Sequence, residues 1–358
     1  MKEKKCKETA CAKKTSIGGQ ALIEGIMMRG PAISAMAVRN PEGEIVLETW
    51  ENKKPKHPTL YKLPFVRGIF NFVASMRSGS KALMRSAEIS GLEEIEAEAA
   101  KAKKEKKAKK AQKNREESDA AAVTAEVETE EKSSSFLINA VMVVSVIIGM
   151  VLAVLLFTML PAYLYQWCSA VVPFLSSEHP ALNSLIKSVF EGLLRIAILV
   201  GYMMLVTLMK DIRRTFQYHG AEHKTIFCYE HGLPLTVENV RGERRFHPRC
   251  GTSFLILMLI VSIFISFFID PLFLLITGGV PHVLVRSLVK ILLLPLIMGI
   301  GYELIKLAGR HENWFTRIIS APGMWLQHVT VLEPTDDMIE CAIAAFEQVI
   351  PQDDSDQY

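Results

Sequence analysis

The sequence predicts an α-helical integral membrane protein, in which a four-span bundle carries a small α+β cytoplasmic portion built from both termini. Half of the 358 residues are hydrophobic, and the longest apolar runs lie in the second half of the chain. These runs approach or exceed the length that crosses a hydrocarbon core of about 30 Å. The net charge is only +3, so the charge balance predicts no nucleic acid partner.

The N-terminal region is predicted as a disordered, lysine-rich tail, residues 1–16, followed by an α+β segment, residues 17–90. Residues 32–50 predict a β-hairpin, because two strand-like runs flank the turn sequence Asn-Pro-Glu-Gly. Residues 64–90 have apolar side chains at helical spacing with basic side chains between them. That pattern favours either a helix on an anionic membrane surface or a helix packed on its own domain.

A glycine-rich stretch, residues 18–31, is interpreted as a packed, turn-rich segment. Its one unusual residue is Glu24, because a carboxylate among apolar side chains needs a partner. We therefore keep two interpretations of Glu24 open, a functional role and an ordinary salt bridge.

The middle of the chain changes from charged to apolar composition. Residues 91–135 are low in complexity and charged, which predicts a solvated tether. Residues 136–209 then contain spans 1 and 2, and residues 251–307 contain spans 3 and 4. Glu191 and Arg195 lie four residues apart in the second span, so they can pair and lower the cost of burial. The four predicted spans are residues 136–160, 189–209, 252–269 and 288–307.

The orientation of these spans follows from the distribution of Lys and Arg in the short connections. Residues 161–188 contain a single basic residue, Lys187, whereas residues 210–250 contain eight. This asymmetry predicts that the 210–250 connection and both termini lie in the cytoplasm.

Residues 308–358 are predicted to form a cytoplasmic C-terminal segment. Trp314 and Phe315, with basic residues nearby, resemble an interfacial helix. Residues 327–332 resemble a strand that joins the N-terminal hairpin in one small sheet. Thr335 is suited to cap a final amphipathic helix.

The connection of residues 210–250 is a polar loop rich in metal-ligand side chains, and within it His219, Glu222 and His223 read H-x-x-E-H. On a helix, residues i and i+4 share a face, so both imidazoles can reach one ion while Glu222 projects close by. This is the inverted form of a zinc-protease pattern, in which the glutamate is the general base for a metal-activated water. The pattern also arises by chance, so its surroundings matter.

Those surroundings supply further candidate ligands. His247 and Cys250 lie at the predicted inner end of the third span, and Glu303 lies at the inner end of the fourth. Imidazole and thiolate together suit zinc. Glu303 is an alternative ligand or a partner that holds an imidazole in place. A four-span bundle brings all of these residues to the same membrane face.

The number of ligands decides the character of the site, and three interpretations stay open. If His219, His223 and one of His247 or Cys250 bind zinc, one position stays open and hydrolysis is feasible. If all four bind, the shell is closed and the zinc is structural. In the third interpretation these side chains only hydrogen-bond to one another.

Several stretches resemble one family of bacterial membrane proteins, the YqhQ-like family. The resemblance covers residues 16–349 apart from the charged tether, and it implies a bacterial cytoplasmic membrane setting. Members are of unknown function and are described as predicted metal-dependent enzymes. The stretches are GGQALIEGIMMRGP, YHGAEHKTIFCYE, LTVENVR, HPRCGTSF and LEPTDDMIECAIAAF.

Two functional hypotheses follow. The first is a zinc-dependent hydrolase or peptidase at the inner membrane face, with Glu222 as the general base. The second is a non-enzymatic membrane assembly or translocation factor with a structural zinc site. Under both hypotheses the lipid bilayer is a partner, and a second membrane protein is the expected partner or substrate.

Overall fold

The computed structural model describes residues 14–52, 63–91, 144–175, 179–279, 281–310 and 313–356. Nearly all of the predicted tail and tether lie outside the described residues, as do the first residues of the first predicted span. The described residues form a small sheet with helices on both faces and a set of long apolar helices. The helices are α1 (Val66–Ile89), α2 (Val144–Val171), α3 (Pro180–Val206), α4 (Lys210–Glu230), α5 (Val237–Arg241), α6 (Gly251–Thr277), α7 (Val283–Leu292), α8 (Leu294–Arg310), α9 (Trp314–Thr330) and α10 (Asp336–Glu347).

The strands form an antiparallel meander in the order β1-β2-β3-β4. The hairpin predicted over residues 32–50 is present as the last two strands. The interpretation of residues 18–31 as turn-rich is wrong, because they form the first hairpin. The second strand is buried almost throughout, and a strand covered on both faces lacks the alternation that identifies strands in a sequence. The strands are β1 (Gly18–Leu22), β2 (Gly25–Arg29), β3 (Ile33–Arg39) and β4 (Ile45–Glu51).

Helices cover both faces of the sheet. Because successive residues of a strand point to opposite faces, Met27 and Met36 pack with Ala82 of α1. Ile26 and Met28 belong to the larger core on the other face, together with residues of α4, α5 and α10. Helix α1 is therefore the predicted helix of residues 64–90; its C-terminal half packs on the sheet, and its N-terminal half packs on α8.

Within the described residues, three helices are long and apolar enough to cross a membrane: α2, α3 and α6. Helices α7 and α8 pass the same test as a pair but are bent by 49° at a short break. The number of candidate spans is thus three, or four if the bent pair is one span. The predicted fold class is confirmed in its coarser part: the protein is mainly α-helical, with candidate membrane spans and a small sheet.

All four predicted spans differ from the observed helices in their bounds: α2 continues to Val171, beyond the predicted end at residue 160, and α3 begins at Pro180, before the predicted start at residue 189. The third, residues 252–269, is too short, because α6 continues to Thr277 with Asp270 and Pro271 inside it. The fourth, residues 288–307, is divided between α7 and α8. Pro295 is the second residue of α8, and proline belongs in the first turn of a helix, so a new helix begins there.

A buried network of charged side chains joins α3, α6 and α7. Glu191 pairs with Arg195 at 2.8 Å as predicted, and it also accepts hydrogen bonds from Arg286 and Lys290. Asp270 lies 3.0 Å from the Arg286 guanidinium. The predicted pair is thus part of a larger structure, which connects candidate spans to one another. Its members are Lys187, Glu191, Arg195, Asp270, Arg286 and Lys290.

The strand predicted at residues 327–332 is wrong. Helix α9 begins after a capping box at Asn313 and continues to Thr330, so it includes most of this segment. The N–H of Leu332 then donates to the carbonyl of Phe216 at 2.9 Å, which ties the chain to α4. All strands in the described part of the chain come from residues 18–51.

The region of residues 210–250, which the sequence pattern presents as a loop, is largely helical. Helix α4 occupies its first half and α5 lies in its second half. The final helix, α10, begins after Thr335 as predicted. The H-x-x-E-H motif therefore lies on a helix that packs against the sheet.

Candidate metal centre

The H-x-x-E-H residues lie on helix α4, and the two histidines share one face of it, as the i, i+4 spacing predicts. The imidazole rings of His219 and His223 are 4.4 Å apart between centroids. Between them, Gly220 lets α4 approach the segment that follows α9, since a Cβ atom there would lie 1.9 Å from the carbonyl oxygen of Leu332. This close contact fixes the rotation of α4 and therefore the direction in which the histidines project.

Cys250 joins the two histidines from another element. It is the N-cap of α6, and its Sγ accepts a hydrogen bond from the N–H of Thr252 at 3.4 Å. The Nε2 atom of His219 is 3.1 Å from the same sulfur. One ligand atom from each of His219, His223 and Cys250 lies within 4.8 Å of the other two. We call these three residues the His2Cys cluster.

Hydrogen bonds to carbonyl groups orient both imidazoles. Nδ1 of His219 is 2.9 Å from the carbonyl oxygen of Thr330, and Nδ1 of His223 is 2.5 Å from that of Arg245. A carbonyl oxygen can only accept, so each Nδ1 carries a hydrogen, and Nε2 holds the lone pair whenever the ring is neutral. Metal-binding histidines are held in this way, with the second ring nitrogen donating to a backbone carbonyl or carboxylate.

The electrostatics of the cluster favour a thiolate. Burial opposes ionisation of Cys250, but His219 and His223 lower the pKa of this thiol well below its ordinary value. The position at the N-terminus of a long helix favours the anion further. For His219, burial lowers the pKa, but the neighbouring Cys250 raises it, and the resulting pKa is about 9. The thiolate is the form of cysteine that binds metals.

Glu222 is buried beside the cluster, and one of its oxygens accepts the N–H of Gly19 at 3.0 Å. Burial raises the pKa of this carboxyl group, whereas His219 and His223 lower it, and the net direction is upward. A carboxylate with a raised pKa accepts a proton more readily than an exposed one. Glu222 and the cluster line the same cavity, which has a volume of about 630 Å³ and is bounded by β1, α4 and the start of α6.

His247, the fourth predicted ligand, lies beside the cluster rather than in it. Its ring centroid is 5.5 Å from that of His223. Nδ1 accepts the N–H of Arg249 at 3.2 Å, and Nε2 faces the carboxylate of Glu230 at 3.8 Å. Burial lowers the pKa of His247 to about 4, although Glu230 acts in the opposite direction. The described residues thus bring three of the four predicted ligands together.

The two remaining predicted residues form ion pairs elsewhere. Both carboxylate oxygens of Glu303 accept hydrogen bonds from Arg67 of α1, so we remove Glu303 from the ligand set. Glu24 accepts two hydrogen bonds at 2.5 Å from Arg214, and the hydroxyl of Tyr218 lies 3.3 Å away. The contacts of Glu24 therefore match the salt-bridge interpretation, and they tie the β1–β2 turn to α4.

The sequence pattern missed two side chains that support the site. Glu230 is buried and accepts hydrogen bonds from Arg249 and from the N–H of Thr15 at 2.9 Å. Gln327 bonds both the N–H and the carbonyl of His247, at 2.8 and 2.7 Å. Glu230 follows His223 by seven residues, which places it on the same face of α4, and this spacing was a usable signal. No local pattern marks Gln327.

The fold and this site define a largely helical protein with candidate membrane spans and a His2Cys cluster where the candidate span α6 meets the helix α4 that packs on the small sheet. The chain belongs to the family DUF1385, described as protein of unknown function, whose family model matches residues 63–352. It is 31% identical over 337 residues to "Uncharacterized protein YqhQ" of Bacillus subtilis (strain 168), covering 93% of this chain and 92% of that protein. No solved structure matches the chain. The family resemblance predicted from the sequence motifs is confirmed.

Proposed function

We propose that this protein is a zinc-dependent hydrolase of the bacterial cytoplasmic membrane, with its site at the inner membrane face. The observation that carries the proposal is the convergence of ligand atoms from His219, His223 and Cys250 within 4.8 Å. Three protein ligands leave one of the four positions of tetrahedral zinc open, which is typical of catalytic rather than structural sites.

The chemistry of the donors supports zinc as the metal. Imidazole nitrogen and thiolate sulfur are ligands that zinc prefers. Both Nδ1–H groups already donate to carbonyl oxygens, so His219 and His223 need no tautomer change to bind an ion through Nε2, and His219 has only to release its Nε2 proton. A zinc ion held by these three residues would supply a Lewis acid and would lower the pKa of a water molecule beside it.

Glu222 acts as the general base in this proposal. It takes a proton from the attacking water and returns it to the leaving group of the substrate. The N–H of Gly19 holds one carboxylate oxygen, which leaves the other to receive the proton. The cavity shared by Glu222 and the cluster provides space for a substrate next to both.

The distribution of charge supports the cytoplasmic side of the membrane for this site. Residues 210–250 contain eight Lys and Arg residues, whereas residues 161–188 contain one. Basic connections stay in the cytoplasm during membrane insertion. Because Cys250 directly precedes the candidate span α6, the cluster lies at the end of that span.

The proposal is tested by the zinc content and the hydrolytic activity of the purified protein in detergent. We expect about one zinc ion per chain in the wild type and loss of most of it in His219→Ala, because this change removes a ligand. The activity probe is p-nitrophenyl acetate, with the rate of the chelator-treated protein subtracted. Elemental analysis measures the metal and absorbance measures the ester hydrolysis.

The matched control for this experiment is His328→Ala. His328 is exposed, its Nδ1 lies near carbonyl groups of its own helix, and its ring stacks on Phe246 rather than on a residue of the cluster. This variant should keep both zinc and hydrolysis. A wild-type protein that binds no zinc, or a His219→Ala variant with full zinc content, would refute the proposed site.

A second candidate function is a non-enzymatic membrane assembly or translocation factor with a structural zinc. The observation that favours it is the position of the cluster between two elements, since an ion there would fasten α4 to the start of α6. A closed shell would need His247 as the fourth ligand. In that case zinc removal lowers the unfolding temperature, and Glu222→Gln has no effect on any property of the protein.

A further inference from the structure

Among the described residues no strand pairs with the outer edge of β1, and the register of the sheet tells which main-chain groups of β1 face outward. The N–H of Arg39 donates to Glu24, and the N–H of Gly30 donates to Ile33, so alternate residues of β2 bond to β3. The intervening residues of β2 therefore bond to β1. Their partners in β1 are Gly18, Gln20 and Leu22.

Gly19 and Ala21 consequently direct their N–H and C=O groups away from β2. The hydrogen bond from the N–H of Gly19 to Glu222 agrees with this direction. Gly19 and Ala21 both line the cavity that contains the His2Cys cluster. The outer edge of β1 thus runs along the candidate catalytic groups.

The beginning of the candidate span α6 also lines this cavity. Thr252 and Leu255 lie there, and Phe216 of α4 contributes another apolar side chain. An extended chain that entered the cavity would lie along the edge of β1 and contact these side chains. Gly18 and Gly19 have no side chains to obstruct such a chain, and glycine in a strand often marks the close approach of another backbone.

We propose that the substrate is an extended polypeptide segment, which adds to the outer edge of β1 as a further strand. This inference rests on the proposed hydrolase function and names its substrate class. A strand edge presents alternating N–H and C=O groups, which complement a peptide main chain whatever its side chains. The Ala21 N–H and C=O form one pair of hydrogen bonds with the substrate, and the Gly19 C=O accepts a third.

The reaction is then hydrolysis of a peptide bond. One water molecule is consumed, and its oxygen forms a bond to the carbonyl carbon while the C–N bond breaks. Glu222 takes the proton from the water and gives it to the leaving amine. The products are a carboxylic acid and an amine, which ionise to a carboxylate and an ammonium group at neutral pH, and no oxidant or further reactant is needed.

The test uses the full-length protein in detergent with fluorescein-labelled β-casein, an unstructured polypeptide, as the probe. The variant is Ala21→Pro, because proline removes the outward N–H but leaves the β1–β2 hydrogen bonds in place. We expect zinc-dependent casein cleavage to fall by about tenfold or more in kcat/KM, in line with the loss of a main-chain hydrogen bond and of part of the binding edge.

The matched control is Leu47→Pro on the other edge of the sheet. By the same register argument Leu47 directs its N–H away from β3, and it is 41% exposed. Casein cleavage by Leu47→Pro should equal that of the wild type. Equal cleavage by Ala21→Pro, with its zinc retained, would overturn the inference.

A second measurement does not depend on the folding of a proline variant. Hydrogen exchange of residues 17–24 in the zinc-loaded Glu222→Gln protein should slow several-fold when casein is added, and unchanged exchange would contradict strand addition. The wild type separates the two proposals. Zinc-dependent hydrolysis of p-nitrophenyl acetate without casein cleavage refutes the peptide substrate alone, whereas absence of both activities refutes the hydrolase.

Discussion

Replacement of Glu222 by glutamine is expected to leave the zinc content unchanged and to lower zinc-dependent hydrolysis by about 10²- to 10⁴-fold. Glutamine has the same shape as glutamate, and its carbonyl oxygen can still accept the N–H of Gly19. It cannot accept a proton from water, so the base is lost while the ligands remain. The measurements are elemental analysis and the hydrolysis rate at saturating zinc.

The matched control is Glu24→Gln, which changes another carboxylate that contacts α4. Glu24 pairs with Arg214 and is outside the cluster, so hydrolysis should stay at the wild-type rate. A large loss of activity in this variant would restore the functional interpretation of Glu24. If Glu222→Gln hydrolyses the probe as fast as the wild type, Glu222 is not the base. If zinc stabilises the wild type and Glu222→Gln equally and neither protein hydrolyses the probe, the structural-zinc alternative is favoured.

The candidate site was predictable where it depends on local geometry. The spacing of His219 and His223 fixes their common face on any helix, and the structure has this arrangement. The choice between His247 and Cys250 was not predictable, because both follow α5 and lie three residues apart. That choice depends on the start of α6 at Gly251, which makes Cys250 the N-cap and directs its sulfur to His219.

Contacts between residues far apart in the sequence were not predictable either, because they depend on how the helices pack. Glu303 was predicted to lie near the imidazoles because it is at the predicted inner end of the fourth span. In the structure α1 packs against α8, and Glu303 pairs with Arg67. The carbonyl groups of Thr330 and Arg245 orient the histidines, and a main-chain carbonyl carries no residue-type signal. Only the fold shows which carbonyl groups meet the rings.

The fold itself was predictable where composition decides it. Apolar runs longer than about 18 residues predict membrane helices because the bilayer core must be crossed without exposed backbone groups. The hairpin of residues 18–29 was missed because β2 is buried on both faces. The false strand at residues 327–332 is rich in β-branched residues, but the capping box at Asn313 starts a helix that extends through most of it.

The largest expected effect on stability comes from Glu191→Gln. In the described network four cationic side chains face two carboxylates, and Glu191 is fully buried. Its removal leaves Arg195, Arg286 and Lys290 with one carboxylate fewer in an environment that cannot solvate them. Loss of one member of a buried ion pair destabilises proteins by about 3–5 kcal/mol, so the free energy of unfolding in detergent should fall by that order, as measured by denaturant titration.

The matched control is Glu88→Gln, which breaks a pair with Arg85 at 2.8 Å on the protein surface. Both side chains of that pair are exposed, so the unfolding midpoint should not move, because solvent screens such pairs. A rescue variant separates charge from packing. Lys290→Met in the Glu191→Gln background removes one excess cation and should recover part of the lost stability, since a buried ion pair is replaceable by apolar side chains of similar volume. If Lys290→Met lowers stability further, the loss arises from packing around Glu191 and not from an uncompensated charge.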